Sequence, residues 1–346
     1  MRKLLLGFVL ACFSQAAFAD PVEDFYKGKQ IQMIVGYEVG GGYDIYARLV
    51  ARHLGRHVPG NPGVVVQNMP GAGSLRAANY IYVVAPKDGT ALAAFALTIP
   101  LMGVLGGNPN AQFDSRKFTW LGSPTSGQND SYMLWTRKDA KVKTLADALR
   151  SGGPELVLGG LAEGSFETDV ATLMRKTIGL NFKMVFGYAG GAGLNVAIEQ
   201  NEIEGRFIGL SSILLTQPRW IAADSYMQPL LQFARSTRIS SYPDVPLARE
   251  LAKDDLSRQL IELAEISFVL SRPIVAPPDV PADRALALQK AFMELAKDPV
   301  YLADAASLKL DISPVGADVA MSLLDKLAQA PVELKDEIRR LLLPKN

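Results

Sequence analysis

The chain has 346 residues, of which 49% are hydrophobic and 21% are charged, and its formal net charge is +1 at pH 7. This length and composition are typical of a folded globular protein with room for two domains, and they exclude the disordered and fibrous classes. The near-zero charge provides no basic field, so we expect no binding to nucleic acid.

Residues 1–19 have the pattern of a secretory signal peptide. A charged start is followed by a short apolar run, and Ala17-Phe-Ala19 matches the A-x-A cleavage pattern. The sequence therefore predicts cleavage after Ala19 and a periplasmic location. Cleavage would remove Cys12, the one cysteine, and would exclude disulfides and thiol chemistry in the mature chain. Anchoring as a lipoprotein through Cys12 stays open as an alternative.

The first elements of the mature chain form a strand, a glycine turn and a helix. The apolar run 31–35 predicts a buried strand, and apolar residues at helical spacing over 43–54 predict a helix. Gly40, Gly41 and Gly42 lie between them. Their amides, together with the positive end of the helix dipole, can bind an anion such as a carboxylate or phosphate. The alternative interpretation is that these glycines only turn the chain.

The same succession of strand, turn and helix recurs along the chain, which predicts open parallel sheets in two α/β lobes. Glycine-rich turns at the carboxyl ends of the strands would then face a ligand crevice between the lobes. A further strand is predicted at 266–270. Other predicted strands and helices cover 64–67, 75–84, 91–96, 156–158, 166–178, 182–186, 194–200, 206–210, 282–296 and 316–328.

Two histidines, His53 and His57, lie four residues apart on one predicted helix. Such a pair can share a metal ion, but no third ligand is evident, so a solvated helix face is the favoured interpretation. No metal site and no cofactor is predicted. The chain also lacks the G-x-S-x-G, dinucleotide and P-loop motifs, which leaves a hydrolase as a distant alternative.

Five segments together carry a family resemblance, and they occur in chain order: Gly36-Tyr-Glu-Val-Gly-Gly-Gly-Tyr-Asp44, Asn68-Met-Pro-Gly-Ala-Gly73, Ala85-Pro-Lys-Asp-Gly-Thr90, Tyr188-Ala-Gly-Gly191 and Tyr242-Pro-Asp-Val-Pro246. With them the chain resembles the extracytoplasmic solute receptors of the tripartite tricarboxylate transporter family, also called the Bordetella uptake gene type.

The resemblance implies a two-lobe periplasmic-binding-protein clamshell of the α/β class (type II-like), a Venus flytrap with the ligand cleft between its lobes. Lobe 1 would be discontinuous, with residues 20–123 and 247–346, and lobe 2 would cover 124–246. The implied function is non-enzymatic capture of a small carboxylic acid by a monomer and its delivery to a membrane permease. In the family, loop amides, hydroxyls and ordered waters hold the carboxylate. A periplasmic receptor that signals through a partner protein is the alternative function.

The predicted ligand contacts come from both lobes. Backbone amides are expected from the two glycine turns, and side-chain contacts from tyrosines flanking those turns and from hydroxyls near strand ends. The predicted set is Tyr37, Gly40, Gly41, Gly42, Thr98, Ser165, Tyr188, Gly190, Gly191, Ala192, Ser211 and Ser212.

The first glycine turn departs from the family pattern, because Gly36, Glu38 and Val39 stand where prolines are usual. A carboxylate at Glu38 would oppose an anionic ligand at close range. Glu38 either points to solvent, which is the favoured interpretation, or contributes to specificity by pairing with an amino group of the ligand.

Overall fold

The computed structural model of the protein describes residues 20–126 and 130–342. The predicted signal peptide, its cleavage site and Cys12 therefore lie outside the described residues. The strands are β1 (Gln30–Val35), β2 (Gly63–Asn68), β3 (Ala91–Ala94), β4 (Thr119–Ser123), β5 (Tyr132–Arg137), β6 (Leu156–Gly159), β7 (Phe182–Val185), β8 (Gly205–Gly209), β9 (Met227–Phe233), β10 (Ile274–Ala276) and β11 (Val315–Gly316).

Helices cover both sheets. They are α1 (Pro21–Tyr26), α2 (Gly42–Leu54), α3 (Leu75–Asn79), α4 (Thr98–Leu105), α5 (Leu145–Ala148), α6 (Phe166–Thr177), α7 (Gly191–Glu199), α8 (Leu210–Thr216), α9 (Asp255–Glu265), α10 (Ala282–Leu295), α11 (Pro299–Ser307), α12 (Ala317–Gln329) and α13 (Val332–Leu342). None of those in the described ranges is long and apolar enough to cross a bilayer.

The first lobe is built on a six-stranded sheet with the order β11-β4-β10-β3-β1-β2. Strand β1 runs parallel to both β2 and β3. Its apolar residues Ile31, Met33, Ile34 and Val35 are all fully buried, as expected for a central strand covered on both faces. Because the three strands are parallel, their carboxyl ends meet at one edge of the sheet, and the glycine turn lies at that edge.

The second lobe is built on a five-stranded sheet with the order β7-β6-β8-β5-β9. Strand β6 runs parallel to β7 and β8, while β5 runs antiparallel to β8 and β9. The turns after β6, β7 and β8 therefore share one edge. Trp135 and Trp220 are almost fully buried in a hydrophobic cluster of this lobe. The predicted α/β architecture with two lobes is confirmed. The expectation of parallel sheets was wrong in part, because both sheets are mixed: β10 pairs antiparallel with β3 and β4, and β5 pairs antiparallel with β8 and β9.

The segment 266–270, which the sequence analysis predicts to be a strand, is a 3₁₀ helix (Ile266–Leu270). The strand that returns the chain to the first sheet is β10, and it pairs antiparallel with β3 and β4. The prediction was wrong because a short buried apolar run has the same hydrophobicity in either conformation. Whether such a segment forms a strand or a helix depends on whether a neighbouring strand is free to pair with it in the folded chain.

The chain crosses from the first sheet to the second after β4 and returns at β10. The C-terminal helix α13 contacts both lobes, since Arg339 donates to the Leu105 carbonyl of α4 at 2.7 Å. On the other side, Glu337 of α13 forms an ion pair with Lys176 of α6 at 2.9 Å. The lobe boundaries at 123/124 and 246/247 stay a prediction.

Candidate functional site

A cavity of about 370 Å³ lies between the two lobes. The first lobe contributes the turn after β1, the start of α2 and Arg272. The second lobe contributes residues from α6, α7, β8 and α8. The cavity therefore lies where the carboxyl ends of the parallel strands of both sheets face each other, as is usual for ligand sites in α/β proteins.

Hydrogen bonds to a side chain of α2 stabilise the first glycine turn, which covers residues 40–42. Gly40 has φ +86°, a conformation that favours glycine. Its amide donates to the carboxylate of Asp44 at 2.9 Å, which also accepts from Arg48 and Asn68. Burial opposes ionisation of Asp44, but these three hydrogen bonds outweigh it and lower its pKa. Asp44 thus stabilises the turn through its hydrogen bonds and does not itself line the cavity.

Gly41 and Gly42 lie at the start of α2 and line the cavity. Amides in the first turn of a helix have no partner within that helix. Neither amide has a hydrogen-bond partner elsewhere in the described residues. They are therefore available to an anion, as the sequence predicted for this turn.

Arg272 lies beside this turn and is only 3% exposed. Its Nη1 donates to the Tyr132 hydroxyl and the Ser271 carbonyl, both at 2.8 Å, and its Nη2 donates to the Ser212 hydroxyl at 2.9 Å. Its Nε has no partner among the described residues. The guanidinium also lies 4.5 Å from the centre of the Tyr43 ring, a cation–π contact.

The described part of the chain gives Arg272 no carboxylate partner in an ion pair, although a buried charge normally needs one. The tyrosines do not supply the counter-charge, because burial raises the pKa values of Tyr43 and Tyr132 and keeps both hydroxyls protonated. Burial opposes the charge on Arg272 and the charge of Asp130 is among the interactions that raise its pKa, but the two side chains form no ion pair. A Cβ added at Gly42 would lie 3.5 Å from Nη2 of Arg272. A cation without a directly bonded carboxylate and the start of α2 therefore lie together at the cavity.

The second glycine turn has a different electrostatic character. Arg206 lies beneath the start of α7, donating from Nη1 to the Gly191 carbonyl at 2.9 Å and to Asn195 at 3.1 Å. Its Nη2 forms an ion pair with Glu167 Oε1 at 2.6 Å, and both side chains are about 5% exposed. The arginine of this turn is therefore neutralised within the protein.

Glu38 reaches from the turn of the first lobe towards the second. Its side chain is half-buried and lines the cavity. A Cβ added at Gly190, just before α7, would lie 2.8 Å from Glu38 Oε2. The carboxylate therefore lies against the second glycine turn, which differs from the favoured expectation that Glu38 points to solvent.

The structure brings eight of the predicted site residues to the cavity: Tyr37, Glu38, Gly40, Gly41, Gly42, Gly191, Ala192 and Ser212. Stacking of Tyr37 on Tyr43, with ring centres 4.4 Å apart, forms part of one wall.

Five other predicted residues do not line the cavity. The hydroxyls of Ser165, Tyr188 and Ser211 bond within the second lobe, to Thr168, Glu202 and Asp130 respectively. Thr98 is buried at the first turn of α4, in a separate small cavity with Leu101 and Asp169. Gly190 lies at the edge, next to Glu38. A position near a strand end does not reveal which way a short side chain turns, and local capping bonds compete for each hydroxyl.

Sequence reasoning missed Arg272, Arg206, Glu167, Tyr43 and Tyr132, which all line the cavity. Tyr43 lies within the motif that carries the resemblance but is not among the predicted contacts. Arg272 follows a segment predicted wrongly as a strand, and no motif surrounds it. Its role arises from the return of the chain to the first sheet at β10.

The two histidines belong to a separate contact. His53 Nε2 lies 2.7 Å from Asp304 and His57 Nε2 lies 2.8 Å from Asp298, so each pairs with α11 or its N-cap. His53 is buried, contrary to the expected solvated face. The described ranges contain no cluster of three or more metal-ligating side chains.

The sequence matches no protein-family model and no curated protein. Among solved structures, the chain is similar to the periplasmic binding protein BugD, with a TM-score of 0.71 and 16% identity over 93% of this chain and 100% of that one. It is also similar to MatC from Rhodopseudomonas palustris, solved with bound malate, with a TM-score of 0.68 and 18% identity over 90% and 99% of the two chains.

A third similar structure is a TctC solute-binding protein from Polaromonas, with a TM-score of 0.58 and 19% identity over 91% of this chain and 100% of that one. At such identities the likeness concerns the fold. The resemblance found in the sequence is confirmed at that level: the chain has the two-lobe fold of the BugD- and TctC-type periplasmic solute-binding proteins.

Proposed function

We propose that the protein is an extracytoplasmic solute-binding protein that captures a small carboxylic acid between its lobes and delivers it to a membrane permease. Arg272 carries this proposal, because it is a buried cation that lacks a carboxylate partner among the described residues and lies in the interlobe cavity. A ligand carboxylate at the start of α2 would supply the missing counter-charge through charge-assisted hydrogen bonds. The Gly41 and Gly42 amides would add donors from the helix start.

This arrangement modifies the family expectation of neutral donors around the carboxylate. An arginine bonds a carboxylate more strongly than a neutral amide does. Part of its donor capacity is already used, since Arg272 bonds Tyr132 and Ser212. A carrier must also release its ligand, and shared donors keep the affinity moderate.

The cavity is suited to binding without chemical change. Burial raises the pKa values of Tyr37, Tyr43 and Tyr132, so these hydroxyls are poor bases near neutral pH. Both histidines of the chain pair with aspartates near α11, outside the cavity. We therefore infer a binding protein and not an enzyme.

The location and the partner follow from the same proposal. The signal-peptide pattern of residues 1–19 would direct the chain to the periplasm. Arg272 belongs to the first lobe, while its partners Tyr132 and Ser212 belong to the second. A ligand bound at Arg272 would therefore favour the closed arrangement of the lobes, and a permease that reads the closed surface would distinguish loaded from unloaded protein.

The first test is a thermal-shift screen of the mature chain with mono-, di- and tricarboxylic acids, each matched by the corresponding neutral alcohol. A ligand that binds only the folded state raises the melting temperature. We expect at least one acid to raise it while its alcohol does not, and calorimetry to give one site per chain with the acid recovered unchanged. The proposal is wrong if no acid raises the melting temperature or if the alcohols act equally.

A further inference from the structure

The two glycine turns that face the cavity carry opposite charge environments. At the first turn, Arg272, which has no directly bonded carboxylate among the described residues, lies 3.5 Å from a Cβ position on Gly42. At the second turn, Arg206 is already paired with Glu167. The carboxylate of Glu38 lies against the second turn, so the surroundings of the first turn favour a negative charge and those of the second turn oppose it.

Glu38 has features of a specificity residue. No hydrogen bond or ion pair joins its carboxylate to another described residue, although it is half-buried. Glu167 adds to the same end, because its Oε2 is buried without a hydrogen-bond partner among the described residues and lines the same cavity. Two carboxylate groups beside the second turn therefore line the same cavity as Arg272.

This arrangement is unfavourable for a ligand with a carboxylate at each end. A second carboxylate at the Gly191 turn would lie near Glu38, and like charges at such range repel each other in a partly desolvated site. An ammonium group at the same place would gain an ion pair and would give the unpaired Glu167 oxygen a donor.

From this geometry we propose that the ligand is an amino-carboxylic acid, held with its carboxylate at Arg272 and its ammonium group at Glu38. The inference rests on the proposed function and narrows it from carboxylic acids in general to zwitterions. Glu38 acts as a specificity-determining residue by attracting the amine and by opposing a second carboxylate.

The test compares acids of equal chain length that differ only in the far substituent. Hexanoate, 6-aminohexanoate and adipate place a methyl, an ammonium and a carboxylate group at the far end, and butanoate, 4-aminobutanoate and succinate form a shorter set. The 2-amino acids of the same lengths cover a shorter distance between carboxylate and amine. Calorimetry would measure each acid against the wild-type chain, Glu38→Gln and Glu163→Gln. Glu163 is an exposed glutamate outside the cavity and serves as the matched control.

In the wild type we expect the best amino acid to bind at least about tenfold more tightly than both its unsubstituted acid and its dicarboxylate. This corresponds to about 1.4 kcal/mol. Glu38→Gln should weaken the amino acid and strengthen the dicarboxylate, so that their affinity ratio falls at least fivefold. Glu163→Gln should leave the ratio unchanged. A merely structural role of Glu38 would change all three affinities together.

Three results would overturn the inference while leaving the proposed function intact. They are tighter binding of a dicarboxylate than of any amino acid by the wild type, equal binding of amino and unsubstituted acids, and an unchanged ratio in Glu38→Gln. Absence of binding by every acid would instead contradict the proposed function itself, so the two failures are distinguishable.

Discussion

Single residues decide the chemistry of the cavity, and Arg272 is the most important of them. Burying a charge without a partner costs free energy that a globular core does not ordinarily tolerate. In Arg272 this cost is reduced by hydrogen bonds to Tyr132, Ser271 and Ser212 and by the Tyr43 ring, which are all formally neutral. A carboxylate ligand would add the direct ionic partner that these neutral groups do not provide.

We therefore predict that Arg272→Met lowers affinity for the acid identified in the screen at least about a hundredfold, or about 3 kcal/mol. Without ligand, the variant should melt at the same temperature as the wild type or higher, since a buried charge has been removed. Arg258→Met is the control, because Arg258 is exposed and lies outside the cavity. Calorimetry and differential scanning fluorimetry would check both parts. Retained affinity in Arg272→Met would contradict the assigned role.

Asp169 shows a different effect of burial. It lies in α6, faces the small cavities near Thr98 and Arg339, and is 8% exposed. Burial raises the pKa of its carboxyl well above the usual range, and the charge of Glu167 raises it further. The folded chain therefore keeps this proton at a pH where the unfolded chain has lost it.

The sign of the resulting pH dependence follows from linkage. Because the folded-state pKa is raised, the contribution of Asp169 to stability is fully present below the unfolded pKa of about 4 and is lost as pH rises towards the folded pKa. We predict that the stability of Asp169→Asn relative to wild type rises progressively as the pH rises from 4 to 7. Urea unfolding at several pH values measures this difference. A difference that does not vary with pH would show that the carboxyl is ionised in the folded chain.

At the scale of elements, the start of α2 joins the fold to the proposed binding chemistry. The helix begins at Gly42, where the lack of a side chain allows close approach of groups from the second lobe. A Cβ at Gly42 would lie 2.8 Å from the Ser212 hydroxyl and 3.5 Å from Arg272. A side chain at Gly42 would clash with Ser212 and would disrupt its hydrogen bond with Arg272.

Gly42→Ala should accordingly weaken ligand binding at least about tenfold, because Ser212 must leave Arg272 or the lobes must separate. Gly193→Ala is the matched control, since Gly193 lies in α7 and a Cβ there would meet nothing closer than 3.9 Å. That variant should bind normally and gain up to about 1 kcal/mol of stability from the better helix propensity of alanine. Calorimetry and urea unfolding would check both variants, and equal affinities would refute the crowding argument.

At the scale of the whole molecule, the lobes are joined on two sides. On the cavity side, Arg272 bonds Tyr132 and Ser212 across the cleft. On the other side, α13 bonds α4 through Arg339 and α6 through Glu337. Opening of the cleft would break the first set of contacts, and we expect the C-terminal helix to stay bonded to both lobes.

Ser212→Ala should shift the ligand-free chain towards the open arrangement, because one hydrogen bond across the cleft is lost. The expected cost is about 1 kcal/mol, or roughly a fivefold loss of affinity, together with a larger radius of gyration without ligand. Small-angle X-ray scattering and calorimetry would measure the two effects, with Ser240→Ala, at an exposed position, as control. A lower affinity with no change in the scattering curve would assign Ser212 to ligand contact alone.

The sequence by itself determined the α/β class, the two lobes and the two glycine turns, because these depend on local periodicity, on turn chemistry and on motifs with fixed spacing. Gly41, Gly42, Gly191 and Ala192 could be found in this way, since a glycine turn and the helix after it are neighbours in the chain. These residues lie at the cavity because each glycine turn follows a parallel strand, and the carboxyl ends of parallel strands meet at the sheet edge that faces the cavity.

Only the tertiary structure decided the charges that meet in the cavity. Arg272 and Ser212 are 60 residues apart, and Arg206 and Glu167 are 39 residues apart. Whether such a charge is paired, solvated or left without a partner depends on how the two sheets are set against each other. The orientation of a short hydroxyl side chain, as in Ser165 and Ser211, is decided in the same way, by the nearest acceptor in the folded chain. Local sequence patterns carry no information on these distances, and so the glycine turns were predictable while the arginine between the lobes was not.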